Sequence, residues 1–185
     1  MLKDFIKPTV VLLLVTLFAA AIIGVTFTVT EEPIMQQRAN AEIAAIIALL
    51  PTTYETEYLY IDEADSTLTR LTVSLDNNGE VIGYVFSASP SGYSGRINMM
   101  VAIDTHGVIK GVKIIRHTET PGLGANITQE WFTGEFAGRT GRLVSAHHPT
   151  GSDEIPIIAS ATVSVNAVLR GVNDAVAFFE RGVTR

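Results

Sequence analysis

The sequence predicts an α+β chain: one N-terminal transmembrane helix, then an extracytoplasmic domain made of an antiparallel sheet with helices packed on it. Three observations carry that prediction. Residues 8–30 hold no charged side chain and are mostly Val, Leu, Ile, Ala and Phe, a run long enough to cross a hydrocarbon core as a helix. From Tyr54 onward the apolar pattern moves towards a period of two, broken by short turn signals of the hairpin kind. The last apolar segment returns to helical spacing, with Val165, Val168, Leu169, Val172 and Val176 on one face.

Composition sets bounds on what the chain can do. Its 185 residues include 13 Lys and Arg against 19 Asp and Glu, for a net charge of -6. A mean hydropathy of +0.31 is high for a soluble domain of this size and points to a membrane segment. There is no cysteine, which excludes disulfides, cysteine-ligated iron–sulfur clusters and thiol catalysis. No basic patch exists to replace phosphate counterions, so nucleic acid is not an expected partner.

The chain opens on a short tail, residues 1–7, which carries Lys3 and Lys7. The span follows at residues 8–30, and Glu31 and Glu32 come directly after it. The positive-inside rule puts the tail in the cytoplasm and the rest of the chain outside, on a single-pass anchor. A cleaved signal peptide is the rival reading. Its apolar region would be shorter and would close on an A-x-A site, whereas this run continues past Ala19, Ala20 and Ala21 to Val29.

Residues 31–51 read as a helical stalk, either a second helix or a continuation of the first. Ile34, Ala41, Ile43, Ala44, Ile47 and Leu50 form its apolar stripe, and Pro51 closes it. A stalk of this kind packs on its own domain, here residues 52–185. Strands are expected at Tyr54–Asp62, Thr67–Leu75, Glu80–Ser87, Arg96–Asp104 and Val108–His117. Asn77-Asn78-Gly79 and Thr105-His106-Gly107 supply turns, and Ser89–Gly95 is a loop by composition. The final helix, Val165 to about Glu180, packs across one face of the sheet.

Two stretches carry candidate chemistry. Ala159, Ser160 and Ala161 lead to Thr162, just before the last helix, with Ser164 as a plausible N-cap. Free backbone N–H groups and the helix dipole gather at such a place and favour a phosphate, and a hydroxyl held there could be esterified to a phosphate-bearing cofactor. The plainer alternative is that Thr162 and Ser164 only cap the helix. The second stretch is Thr118–Gly124, T-E-T-P-G-L-G, directly after a strand. Pro121-Gly122 is a turn and Gly124 frees the backbone further. Glu119 and Thr120 offer polar groups and Leu123 an aliphatic face, which suits a flat heteroaromatic ring. An ordinary strand-to-helix connection would use the same residues.

Other motifs are weaker. His147-His148 lacks a carboxylate at ligand spacing, so no metal is expected. Gly92-Tyr93-Ser94-Gly95 lacks a phosphate-loop lysine, so nucleoside triphosphate binding is not supported. No side chain is assigned a catalytic proton transfer.

Taken together, the single span, G-Y-S-G-R-I (Gly92–Ile97), M-V-A-I-D (Met100–Asp104), I-K-G-V-K-I (Ile109–Ile114), H-T-E-T-P-G-L-G (His117–Gly124) and A-T-V-S-V-N-A-V (Ala161–Val168) resemble the flavin-bearing G subunit of the Rnf electron-transport complex. The C subunit of the sodium-translocating NADH:quinone oxidoreductase is a close relative of that family, usually longer. The resemblance implies FMN joined to Thr162 through a phosphoester by a dedicated flavin transferase. In the family the acceptor threonine follows an acid, two residues of any kind, Ser or Thr, Gly and Ala. Here Ala161 keeps its place, while Ser160 replaces the glycine, Ala159 the Ser or Thr, and Pro156 the acid; Asp153 and Glu154 lie out of register.

By the same resemblance Glu119, Thr120, Leu123 and Gly124 would line the isoalloxazine ring. Tyr93, Ser94 and Trp131 are further candidates for ring or ribityl contacts, beside Ser160, Ala161 and Ser164. The implied role is electron carriage in a ferredoxin:NAD oxidoreductase coupled to ion movement, in a bacterial inner membrane, with membrane and iron–sulfur subunits and membrane lipid as partners. The alternatives are membership of the quinone-reducing relative, or an anchored scaffold domain that has lost its flavin.

Overall fold

The computed structural model describes residues 2–61 and 66–182. Outside them lie the expected end of the first strand at Asp62, the first residue of the tail and the domain's residues 183–185. The chain divides into two compact units, Met1–Ala41 and Glu42–Arg185.

The first unit is helical. It is formed by helix α1 (Leu2–Leu49, with Pro8 and Pro33 inside it), whose residues from Glu42 onward belong to the second unit, so the stalk residues are helical without a break from the span. Leu12, Leu13, Leu14, Phe18, Ile23 and Phe27 are all more than half exposed. The hydroxyls between them donate back into the same helix: Thr16 to the Leu13 carbonyl at 3.0 Å, Thr26 to Ile22 at 2.8 Å, Thr28 to Val25 at 2.9 Å and Thr30 to Thr26 at 2.7 Å. An apolar surface with its few hydroxyls satisfied internally is what a lipid surrounding demands. This is a candidate membrane span by length and composition.

In the second unit, five strands form an antiparallel meander in chain order: β1 (Glu55–Tyr60), β2 (Leu68–Leu75), β3 (Val81–Ala88), β4 (Asn98–Asp104) and β5 (Ile109–Arg116). Two of the hairpins are closed by the same device. Asp76 Oδ1 accepts from the Asn78 and Glu80 N–H groups at 2.8 and 2.9 Å, and Asp104 Oδ1 accepts from His106 and Val108 at 2.9 and 3.0 Å. Each turn then needs a residue at positive φ, met by Gly79 at 78° and Gly107 at 84°.

After β5 come a 3₁₀ turn (Gly124–Thr128), the short helix α2 (Glu130–Thr133) and a second 3₁₀ turn (Gly134–Phe136). A small parallel pair follows, β6 (Val144–Ala146) with β7 (Glu154–Pro156), before helix α3 (Thr162–Glu180). Elements of three or four residues are too short to show a hydrophobic period.

The sheet is covered on both faces. On one side, Leu71, Val73, Phe86, Met99, Val101 and Ile103 share a core with Val165, Val168, Val172 and Val176 of α3. On the other, Val85, Met100 and Ala102 pack with Ala45, Ile46 and Leu50. That is why Val101, Ala102 and Ile103 are consecutively buried rather than alternating. Contact is close on both sides. A Cβ on Gly171 of α3 would meet Met99 Sδ at 2.9 Å, and one on Gly111 of β5 would meet Leu49 Cδ2 at 2.9 Å.

The helix end can therefore be tested as part of the core. Ile46→Ala is expected to lower domain stability by about 2–4 kcal/mol, because it opens a cavity against the sheet. Ile47→Ala, on a half-exposed neighbour, is expected to change it by less than about 0.5 kcal/mol. Denaturant unfolding of the full chain in detergent reads both.

Candidate functional site

Three segments that are distant in sequence meet beside the start of α3. The β3–β4 loop is pinched by a bridge between Ser91 and Arg96, and inside it the Gly92 N–H donates to the Gly95 carbonyl at 2.8 Å. After β5, Thr120 O accepts from Leu123 N at 3.2 Å and Ala125 N at 3.1 Å, with Gly122 between them at φ 77°. The third segment is Ala159 to Ser164. Together they enclose a cleft of about 390 Å³, within the roughly 300–1,000 Å³ of ordinary small-molecule sites. The first segment lines it with Tyr93, the second with Glu119, Thr120, Leu123 and Gly124, and the third with every residue from Ser160 to Ser164.

Glu119 is 4% exposed. A buried carboxylate is costly unless its oxygens are paired. Here Oε1 accepts from the Ser94 N–H at 2.9 Å, and Oε2 accepts from the Ser164 hydroxyl. The Glu119 N–H donates to His117 Nδ1 at 3.1 Å. A Cβ on Gly92 would lie 2.6 Å from Oε1, and one on Gly124 2.6 Å from Oε2, so both glycines are places where the backbone must come close to the carboxylate. Burial pushes the Glu119 carboxyl up. The bonds from Ser164, Ser94 and Tyr93 outweigh burial and hold it below the usual 4.5.

The α3 terminus differs from expectation. Ala161, not Ser164, is the N-cap, no side chain caps the helix, and Thr162 is its first residue. Ser164 cannot cap because it sits inside the first turn with its hydroxyl committed to Glu119. The N–H groups of Thr162, Val163 and Ser164 have no acceptor within the helix, as at any helix start. Thr162 and Val163 are exposed at the cleft, while Ser164 is buried.

Ser160 has φ 60°, the one positive value outside glycine among the described residues. That conformation costs an L residue about 1–2 kcal/mol.

Most of the expected site residues come together. Ser94 does not line the cleft with its side chain but braces Glu119 through its N–H. Trp131 does not line the cleft at all; it sits on α2, half-exposed, edge-on to Phe132 at 6.0 Å. Val163 lines the cleft and was not singled out from sequence, since an apolar residue after Thr162 reads as part of the helix pattern. His147 and His148 are exposed, and among the described residues no three His, Asp or Glu side chains cluster to hold a metal.

Residues 92–177 match the family model described as FMN-binding domain. The chain is 29% identical to the G subunit of the Na(+)-translocating ferredoxin:NAD(+) oxidoreductase complex of Acetobacterium woodii, over 96% of this chain and 93% of that one. It is 30% identical to the G subunit of the ion-translocating oxidoreductase complex of Yersinia pestis, over 89% and 86%. Among solved structures, the C subunit of the Na(+)-translocating NADH-quinone reductase from Parabacteroides distasonis shares the fold. Its TM-score is 0.55 and its identity 18%, over 72% of this chain and 79% of that one.

The matched model agrees with the donor set. The cleft is apolar on Leu123 and Val163, polar on Thr120 and Ser160, and includes the first residues of α3, Thr162 to Ser164. A flat ring carrying a phosphate fits those groups.

Two measurements follow. Ser160→Gly is expected to raise stability by about 1 kcal/mol in denaturant unfolding, by removing the left-handed strain. Glu119 is held below its ordinary value, so its contribution to stability is complete above about pH 4.5 and is lost as pH falls through the lower folded value. Asp76 and Glu154, also held low by backbone N–H groups, add to the same acid loss. In Glu119→Gln the acid-side fall in stability becomes shallower, read as the midpoint of thermal unfolding between pH 3 and 6.

Proposed function

The chain belongs to the G-subunit family of ion-translocating oxidoreductase complexes, the Rnf family, and on that premise we propose that it is a membrane-anchored electron carrier with FMN attached to Thr162 through a phosphoester. The observation that carries the reading is the position of Thr162. Its side chain is exposed at the first turn of α3, on the wall of a cleft of about 390 Å³. A phosphate there would meet the unshared N–H groups of the first helical turn and the positive end of the helix dipole.

FMN, when bound, supplies the redox chemistry, taking up and giving away electrons. The chain's own residues would do the holding. Leu123 and Val163 offer aliphatic contact to a ring, and Thr120, Tyr93 and Ser160 offer hydroxyls at its edge. Covalent attachment would keep a small cofactor from being lost outside the membrane. A flavin transferase would install it from a flavin dinucleotide: the Thr162 hydroxyl would lose its proton and its oxygen would bond to the flavin-side phosphorus while the phosphoanhydride bond breaks, the other nucleotide leaving as its monophosphate.

Electrons would pass between ferredoxin and NAD through the neighbouring proteins of the complex, coupled to ion movement. One span encloses no channel, so the ion path would belong to membrane partners. We place the span in a bacterial inner membrane, with the tail inside and the domain outside. A reporter fused after Glu32 is expected to be active only outside the cytoplasm; cytoplasmic activity would reverse that orientation.

The replaced residues Pro156, Ala159 and Ser160 favour a second reading, an anchored domain that no longer carries flavin. One gel separates the two. The full chain, expressed with its transferase and denatured, is expected to show a fluorescent band under ultraviolet light that Thr162→Val abolishes. A dark wild-type band, with no added flavin mass, would favour the second reading.

A further inference from the structure

We propose that Glu119 is a positioning residue: its carboxylate ties the first turn of α3 to the Gly92–Gly95 loop and so holds the Thr162 hydroxyl at the mouth of the cleft. The effect on flavin attachment rests on the proposed function; the tie itself does not.

Four observations support it. The two oxygens of Glu119 are engaged from different segments, Oε1 by the Ser94 N–H at 2.9 Å and Oε2 by the Ser164 hydroxyl. The loops are strapped a second time, where the Thr118 hydroxyl donates to the Ser94 carbonyl at 3.3 Å. Gly92 and Gly124 stand against the carboxylate so closely that a Cβ on either would lie 2.6 Å from one of its oxygens. The start of α3 has no side-chain cap, so Ser164 is the polar anchor of its first turn.

The rotation of the helix does the rest. Successive residues are about 100° apart around an α-helix, so Thr162 lies about 200° from Ser164. Pinning Ser164 inward, where it is buried, turns Thr162 outward, where it is exposed. Without the tie, the first turn is free to fray or rotate, and the hydroxyl loses its fixed place.

The test uses the full chain co-expressed with its flavin transferase. Two readouts are taken on each variant: amide exchange of Val165, whose N–H donates to the Ala161 carbonyl at 3.0 Å, and flavin per chain from visible absorbance. Glu119→Ala and Ser164→Ala are expected to speed Val165 exchange by about tenfold or more, since each loses a charge-assisted bond. Flavin content is expected to fall with it. Glu119→Gln is the rescue variant: its amide oxygen can accept from Ser94 and its nitrogen can donate to Ser164, so both readouts stay within about twofold of wild type.

Val176→Ala, a core change towards the other end of α3, controls for general destabilisation and is expected to leave both readouts near wild type. The proposal is overturned if Glu119→Ala leaves Val165 exchange unchanged, or if Val176→Ala raises it equally. It is also overturned if the first turn loosens in Glu119→Ala while flavin content holds. If wild type itself carries no flavin, the proposed function fails, and the exchange data alone still decide whether the tie exists.

Discussion

A carboxylate placed at 4% exposure beside a cleft has to be held on every side, and Glu119 is. Its oxygens draw on a backbone N–H from the β3–β4 loop and a hydroxyl from the last helix. Its own N–H is taken by the His117 ring. A charge this buried is tolerated only when its oxygens are paired, and losing the Ser94 or the Ser164 bond would leave one of them short of a partner. The interaction therefore works in both directions. It requires the loop, the turn and the helix to meet, and it fixes them once they have met. The cleft is the space left over between the three.

That meeting depends in turn on the sheet. β3, β4 and β5 are consecutive strands of one meander. The loop between β3 and β4 and the segment leaving β5 therefore lie at the same end of adjoining strands. Helix α3 reaches them because Gly171 lets it approach β4 closely enough for Met99 Sδ to touch where a side chain would be. The opposite face is closed by Ala45, Ile46 and Leu50. With both faces buried, the sheet is a rigid platform, and rigid platforms hold cofactor loops more accurately than mobile ones.

The electrostatics of the cleft are consistent with an anionic cofactor even though the buried carboxylate on its wall is negative. Glu119 is engaged by donors from the β3–β4 loop and from Ser164, while Thr162 and Val163 at the start of α3 also line the cleft. The dipole of a 19-residue helix ends there. A carboxylate that is already fully paired repels a phosphate less than an open one would, because its partners' dipoles oppose its field.

Sequence alone determined the elements whose signals are local. The uncharged run at residues 8–30, the period-two strands, the Asn-Gly turn and the apolar face of α3 are each written in neighbouring residues. The strand boundaries followed within one or two positions. The small motifs around Glu119 and Thr162 were also legible, since each is a run of adjacent residues. Tertiary structure decided what local pattern cannot encode. Ser164 reads as a cap in sequence because caps and inward-facing serines look alike. Only the arrival of Glu119, 45 positions earlier, makes its hydroxyl a tie. Trp131 reads as a ring contact because it is aromatic and near, yet α2 carries it elsewhere. Burial of both sheet faces, the strained backbone at Ser160 and the short β6–β7 pair likewise follow from long-range packing, whose energy is shared among residues far apart in the chain.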